Sequence, residues 1–344
     1  MTNGTAASGG AVRRWWPRVR LVVSVALLVL VFSRLDVGRA VDVLSSARLE
    51  LLALVVLLFY AGRFFAALRW YILIRAMGSH APYTSLVRLT FIGIFLQFMP
   101  AGSIALEVGR VYGLSRTTDD LAGSFASVLM ERLFGLFALI LVALTGLAFA
   151  PPGVPPSLAN LAWVGFAVIA LLAWGIMNGW MRGLLDRPLR AAGLEAVREK
   201  LGKLYARLDA TRERPGLLAW SMLAALVNTL FRILPAWFVA LSLGIEVSFP
   251  QLFVIVPLIY LGAQIPISVA GLGVREIGWV ALLGLIGVPA SDAIVLSLLL
   301  VVAVFVAALP GAWMWARHGL HDPAALEAPA PGGGTPAGGG SAAP

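Results

Sequence analysis

The residues with the clearest chemical potential lie together in one apolar stretch: Pro266, Ser268, Gly271, Gly273, Arg275 and Glu276. The proline ends a helix, and the two glycines permit a backbone with positive φ that approaches a ligand closely. Arg275 and Glu276 then fall in the first turn of the next predicted helix, whose free N–H groups and positive dipole end favour an anion. Irregular backbone at membrane depth persists only where protein covers it or where it lines a wet cavity. The stretch therefore predicts an anion-binding loop.

Further charged residues interrupt the apolar segments elsewhere in the chain. They are Arg63, Glu107, Arg110, Glu131, Arg132 and Arg232, with Pro100 as a second helix break. A charge within a membrane span costs about 2.5 to 3.5 kcal/mol on the insertion scale, so these residues are functional candidates. The arginines and the loop residues form the predicted substrate-binding set, because a planar guanidinium suits a phosphate. Glu107, Glu131 and Glu276 are predicted to hold the arginines in an empty site or to couple movement to protons.

The positions of some polar residues predict their orientation. Arg69 lies near the end of its predicted span, so we expect it to snorkel to the cytoplasmic interface. Glu131 and Arg132 are about 100° apart on a helix, so we expect only one of them to point inward. Asn228, Gln97 and Gln264 are predicted to form hydrogen bonds between helices.

The composition defines the class of protein. Of 344 residues, 60% are hydrophobic and only 12% are charged, which is far more apolar than a soluble protein. The formal net charge of +9 comes from basic residues that flank apolar segments. The predicted partner is therefore the bilayer and its anionic lipids rather than nucleic acid. The chain has no cysteine and three scattered histidines, and we assign no metal, no cofactor and no catalytic residue. The predicted fold class is an all-α polytopic membrane protein.

Hydrophobic runs divide the chain into predicted elements. Residues 1–12 are predicted to be disordered, and residues 13–20 precede an uncleaved first span at residues 21–32. The other predicted spans are residues 49–74, 121–149, 158–177, 216–243 and 290–315. Shorter apolar segments cover residues 86–99, 249–265 and 277–286, and the regions around them, 86–116 and 249–288, are either re-entrant or fully spanning. The transmembrane domain is predicted at residues 13–317, followed by a disordered low-complexity tail at residues 318–344.

Residues 181–215 differ in composition from the rest of the chain. They hold nine Lys or Arg residues and five acidic residues, with leucines at helical spacing. This pattern predicts an amphipathic helix on the membrane face. The positive-inside rule puts that helix in the cytoplasm, together with both termini, and the protein in the cytoplasmic membrane.

Two parts of the chain resemble each other. Gly78 and Pro100 are 22 positions apart, as are Gly244 and Pro266. The corresponding halves, residues 49–150 and 216–315, are predicted to cross the membrane in opposite orientations. Short segments broken by glycine and proline at matching positions of inverted halves indicate a transporter site near the bilayer midplane. The predicted architecture is a helical bundle with an inverted internal repeat and two broken, re-entrant hairpins.

Several short motifs carry a resemblance to a known family. They are Arg69-Trp70, Met99-Pro100 with Glu107 and Arg110, Met130-Glu131-Arg132-Leu133, and above all residues 265–276. With these motifs the chain, over roughly residues 19–315, resembles the lysylphosphatidylglycerol synthase transmembrane-region family. In that family Pro-x-Arg-x-Gly-Glu usually follows the first proline, whereas here six other residues separate Pro100 from Glu107. The resemblance implies a membrane protein that translocates lipid.

These features favour a lipid transporter or flippase. It would move an anionic phospholipid or a polyprenyl-phosphate-type lipid through a polar groove lined by arginine and glutamate. One alternative is an accessory membrane subunit that recruits a lipid-modifying enzyme through residues 181–215. Another is a lipid-linked transferase, but synthase members carry a large soluble catalytic domain and nothing in this chain corresponds to it. We therefore expect that the chain is not an enzyme.

The inverted arrangement predicts the side on which two positions lie. Reporters fused at residues 115 and 290 should report opposite sides of the membrane, because the first hairpin enters from the cytoplasm and the second from the other face. Paired alkaline phosphatase and green fluorescent protein fusions measure this. Both reporters on one side would exclude the inverted repeat.

Overall fold

The computed structural model describes most of the chain. The described residues are 26, 29, 30, 33, 36–45, 47–99, 103–149, 156–177, 180–191, 195–264 and 271–319. The predicted first span lies almost wholly outside this part, as do Pro100, Pro266, Ser268 and both predicted disordered ends.

The described part is built from α-helices. In chain order they are α1 (Val37–Ser45), α2 (Leu49–Ala76), α3 (Tyr83–Gln97), α4 (Ser103–Thr118), α5 (Leu121–Ala148), α6 (Pro156–Met177), α7 (Trp180–Ala191), α8 (Glu195–Arg212), α9 (Pro215–Ser242), α10 (Phe249–Gly262), α11 (Val274–Gly284) and α12 (Ala290–His318).

Four of the described helices are long and apolar enough to cross a membrane, namely α2, α5, α9 and α12. At 1.5 Å per residue, a 28-residue helix such as α2 is about 42 Å long, which exceeds the hydrocarbon thickness of about 30 Å. The all-α polytopic membrane fold predicted from the sequence is confirmed. Helix α6 covers the predicted span at residues 158–177.

The short helices form two helical hairpins. In the first, α3 folds back along α4, so that Gly113 lies against Leu89 and Gly93 lies against Arg110. In the second, α10 folds back along α11, and Gly278 lies against Ile259. None of these four helices exceeds 16 residues, or about 24 Å, so each is shorter than a full crossing.

Both hairpin tips reach the middle of a long helix. At the first tip, the ring of Phe98 packs edge-on against Phe305, near the centre of α12, with the ring centroids 5.5 Å apart. At the second tip, Gln264 accepts a hydrogen bond from Arg132, near the centre of α5, at 3.2 Å. The ends of α3 and α10 therefore lie at the depth where the long helices are halfway through their length.

Helices α2 and α9 correspond in length and position and pack against each other. Each has 28 residues and is followed, two residues after its end, by a glycine with positive φ, at +75° for Gly78 and +67° for Gly244. The amide of Arg48, just before α2, donates to the Ser242 carbonyl at the end of α9 at 3.3 Å. At the other end, the guanidinium of Arg214 donates to the Arg75 carbonyl at 2.6 Å. The two helices are therefore antiparallel along their full lengths.

The predicted amphipathic helix at residues 181–215 is two helices, α7 and α8. Part of its apolar surface packs on the bundle. Tyr205 and Leu208 are buried against a cluster from α2 and α5 that includes Met77 and Met130. Arg207 adds an ion pair of 2.7 Å with Asp120, the N-cap of α5. The stripe of α8 thus packs near the ends of α2 and α5.

The packing of α12 on α3 predicts a glycine requirement. A Cβ atom added at Gly311 would lie 2.0 Å from the carbonyl oxygen of Phe91, which is a backbone atom. We expect Gly311→Ala to lower the stability by about 1 to 3 kcal/mol through overpacking, measured as thermal unfolding in detergent. The control is Gly202→Ala in α8, where a Cβ meets no atom within 4 Å. That variant should be neutral or slightly stabilising, because alanine is the better helix former. Equal midpoints for the two variants would contradict this packing.

Candidate functional site

A central cavity of about 190 Å³ lies between the long helices and the hairpins. Helices α2, α3, α4, α5, α9, α10 and α12 contribute to its wall, as does the start of α11. Its charged lining consists of six arginines and two glutamates: Arg63, Arg69, Arg110, Arg132, Arg232, Arg275, Glu107 and Glu131. The lining therefore carries a clear excess of positive charge.

The cavity lies at mid-depth of the bundle. Arg63, Arg132 and Arg232 are near the middle of the 28-residue helices α2, α5 and α9. Both hairpins end beside it, since Gln97 and Gln264 also line the wall. The helix breaks are what let side chains from so many elements meet at one depth.

Glu131 is the most enclosed charge of the cavity wall. The residue is 4% exposed, and its two carboxylate oxygens bind different arginines. Oε1 accepts from Arg69 at 2.5 Å, and Oε2 accepts from Arg110. The guanidinium of Arg110 also lies 3.9 Å from the ring centroid of Trp70, and the Trp70 indole donates to Ser127 at 3.0 Å. One carboxylate therefore joins α2, α4 and α5.

Arg132 joins the two hairpins through opposite ends of one guanidinium. Its Nη1 donates to Glu107 on α4 at 3.0 Å, and its Nη2 donates to Gln264 at the end of α10 at 3.2 Å. The side chains of Arg132 and Glu107 are 35% and 28% exposed, so this pair is far more open than the pair at Glu131. The contact ties both hairpins to the centre of α5.

Two arginines lie over Tyr260 on the remaining side, and a third, Arg63, lines the same cavity. The guanidinium carbons of Arg232 and Arg275 lie 4.6 Å and 5.2 Å from the centroid of the Tyr260 ring. Arg63 interacts electrostatically with all three of these residues. We call Arg63, Arg232, Arg275 and Tyr260 the Tyr260 cluster. Among the described residues, none of its arginines forms an ion pair, and the Nε atoms of Arg63 and Arg275 are buried without a hydrogen-bond partner.

The glycines before α11 shape the approach of Arg275. Gly271 and Gly273 have φ values of +78° and +85°, so the positive φ predicted for them is confirmed. A Cβ at Gly271 would lie 3.2 Å from Nε of Arg275, so the glycine leaves room for that side chain. Glu276 is 1% exposed, and its carboxylate accepts from the amide of Gly273 at 2.5 Å. Glu276 thus caps α11 and, among the described residues, binds no arginine.

The structure brings most of the predicted site residues to one cavity. Those that line it are Arg63, Glu107, Arg110, Glu131, Arg132, Arg232, Gly271 and Arg275. Gly273 and Glu276 are not in the cavity lining; they form the cap at the start of α11. Ser268, Pro100 and Pro266 lie outside the described residues.

Two orientations predicted from the sequence were wrong. Arg69 is 6% exposed and binds Glu131 at the cavity, because an inward carboxylate offers it a stronger partner than the interface. Glu131 and Arg132 both line the cavity, which spans a wide enough arc of α5 to receive neighbouring positions. Tyr260 was missed, because an aromatic residue within an apolar run looks like lipid-facing or packing surface.

A family model described as "Lysylphosphatidylglycerol synthase TM region" matches residues 18–311. The matched region includes every residue that lines the cavity. Comparison with curated proteins and with solved structures finds no match.

The double ion pair at Glu131 predicts a large cost for removing the carboxylate. Glu131→Gln should destabilise the protein by about 3 to 5 kcal/mol, because Arg69 and Arg110 would remain buried without a counter-charge. The combined variant Arg69→Gln with Glu131→Gln should lose less than the sum of the single variants. Thermal unfolding in detergent measures both.

Glu107→Gln is the matched control, since the partly exposed pair that it breaks contributes about 0 to 1 kcal/mol. A Glu131→Gln variant as stable as Glu107→Gln would contradict the buried pairing.

Proposed function

The chain belongs to the lysylphosphatidylglycerol synthase TM region family, and on this premise we propose that it is a transporter that carries an anionic lipid head group through the central cavity. The observation that supports this function is the excess of arginine over glutamate in a cavity at mid-depth of the bundle. Like charges in a medium of low dielectric repel strongly, so an anion that enters the cavity relieves this repulsion.

The architecture supports transport rather than static binding. The antiparallel helices α2 and α9, each followed by a short hairpin, are the arrangement that an inverted repeat requires. In such folds the site lies at the interface of the halves, and movement of one half against the other exposes it alternately to the two sides. We propose that the two hairpins are re-entrant and that their tips form the barrier between the two sides.

The Arg132 contacts suggest how the hairpins respond to a head group. The guanidinium holds Glu107 of one hairpin and Gln264 of the other. A phosphate that takes the place of either Glu107 or Gln264 frees one hairpin from α5, while Arg132 keeps a hydrogen-bond acceptor. This exchange would couple occupancy of the cavity to movement of a hairpin, and the acyl or isoprenyl chains would stay in the bilayer.

The proposed setting is the cytoplasmic membrane, with both termini on the cytoplasmic side. The proposed role is that of a transporter and not of an enzyme, since the cavity offers arginine side chains suited to charge recognition. The basic helices α7 and α8 would then lie on the cytoplasmic side, at the ends of α2 and α5.

A reconstituted assay tests this function. Protein in vesicles that contain fluorescently labelled phosphatidylglycerol or polyprenyl phosphate should accelerate the loss of fluorescence on dithionite addition, relative to empty vesicles. Arg232→Gln and Arg275→Gln should each lower the rate by about tenfold, the equivalent of one charged hydrogen bond.

Arg116→Gln is the control, because Arg116 is an exposed residue at the end of α4, away from the cavity. It should keep the rate of the unmodified protein. The proposed function fails if no anionic lipid moves faster than in empty vesicles, or if Arg116→Gln impairs transport as much as the cavity variants do.

A further inference from the structure

The arginines of the cavity fall into two groups that differ in their counter-charges. Arg69, Arg110 and Arg132 each bind a glutamate. Arg63, Arg232 and Arg275, the arginines of the Tyr260 cluster, bind none among the described residues. The positive charge available to a ligand is therefore concentrated on one side of the cavity.

The Tyr260 cluster has the features of an anion-binding site. Its arginines come from three separate elements, α2, α9 and α11. Arg232 and Arg275 lie over one aromatic ring, and Arg63 lines the same cavity. Each arginine is half-buried and lines the cavity. Holding three like charges together is unfavourable. The two glutamates of the same wall form their ion pairs with other arginines. The arrangement thus favours an anion.

From this grouping we infer that the head group bound at the Tyr260 cluster is a terminal phosphate, either a phosphate monoester or a diphosphate, rather than a phosphodiester. This inference rests on the proposed transport function and specifies its substrate class. A phosphate monoester carries about −1.5 to −2 charge at pH 7 and offers three acceptor oxygens, one for each guanidinium. A phosphodiester carries one negative charge and has two free oxygens, so at least one arginine would stay unmatched.

The same grouping disfavours an aminoacylated head group. Such a head group carries an ammonium, which needs a carboxylate. Both glutamates of the cavity wall already bind arginine, and the unpaired charges nearby are all positive. An ammonium placed at the Tyr260 cluster would meet three like charges, so a lipid with a lysyl group is a poor ligand.

Equilibrium binding to the full-length protein in detergent tests the inference separately from transport. The probes are decyl phosphate, decyl diphosphate, didecanoyl phosphatidylglycerol and its lysyl ester, measured by isothermal titration calorimetry. The monoester and the diphosphate should bind about tenfold or more tightly than phosphatidylglycerol, and the lysyl ester should bind most weakly. Inorganic phosphate and pyrophosphate form a separate arm, and both should bind more weakly than their decyl esters if the natural ligand is a lipid.

Variants test whether the preference for a monoester over a diester arises from the Tyr260 cluster. Arg63→Gln, Arg232→Gln and Arg275→Gln should each reduce the ratio of monoester to diester affinity, while Arg116→Gln leaves it unchanged. The corresponding Arg→Lys variants retain the charge and should keep part of the preference, which provides a second series if a glutamine variant fails to fold.

Equal affinities for the monoester and the diester would overturn the inference, and so would a preference that survives all three glutamine variants. Neither result would affect the proposed function if phosphatidylglycerol still crosses the vesicle membrane. If pyrophosphate binds as tightly as decyl diphosphate, the claim that the phosphate belongs to a lipid is wrong. A clear monoester preference without any lipid movement would support the site and contradict transport.

Discussion

The two-sided ion pair at Glu131 is the interaction on which the centre of the molecule depends. A buried carboxylate that accepts from Arg69 and Arg110 holds α2, α4 and α5 together. Such a pair contributes little net stability compared with apolar packing, because desolvation offsets its attraction. What the pair provides is position. It fixes Arg110 over Trp70 and neutralises part of the charge, so that the bundle tolerates the other arginines beside it.

Bringing that many charges to one depth constrains the backbone around them. A continuous helix passes the midplane once, so α2, α5 and α9 each contribute charged residues from a single stretch. The short helices α3 and α10 end at mid-depth, where Phe98 meets α12 and Gln264 meets α5, and the hairpins bring further side chains to this level. Positive φ at Gly271 then leaves room for Arg275. The short helices therefore complete the cavity that the arginines of the long helices line.

Much of this was accessible from the sequence, and the reasons are physical. The bounds of the long helices follow from hydropathy, and the predicted span at residues 121–149 differs from α5 by a single residue. Gly78 and Gly244, both with positive φ, mark the ends of α2 and α9. Side-chain direction does not follow, because it depends on a partner in another element. Arg69 points inward because it forms an ion pair with Glu131. Helix α8 packs on the bundle through Tyr205, which lies in one cluster with Met77 and Met130. Tyr260 could not be identified from the sequence, because its contacts with Arg232 and Arg275 depend on the packing of separate helices.

The unequal pairing of the arginines bears on how a transporter releases its cargo. A cavity in which every arginine was unpaired would bind a phosphate too tightly to let it go, and one in which every arginine was paired would not attract it. On the proposed function, the Tyr260 cluster supplies attraction, and the more exposed pair of Arg132 with Glu107 supplies a carboxylate that competes for a guanidinium. A head group that moves toward that pair leaves the unpaired arginines and binds Arg132. Glu107 can then bind Arg132 again and displace the head group. The step from binding to release then requires only an exchange of partners at Arg132, which is also the residue that holds the two hairpins.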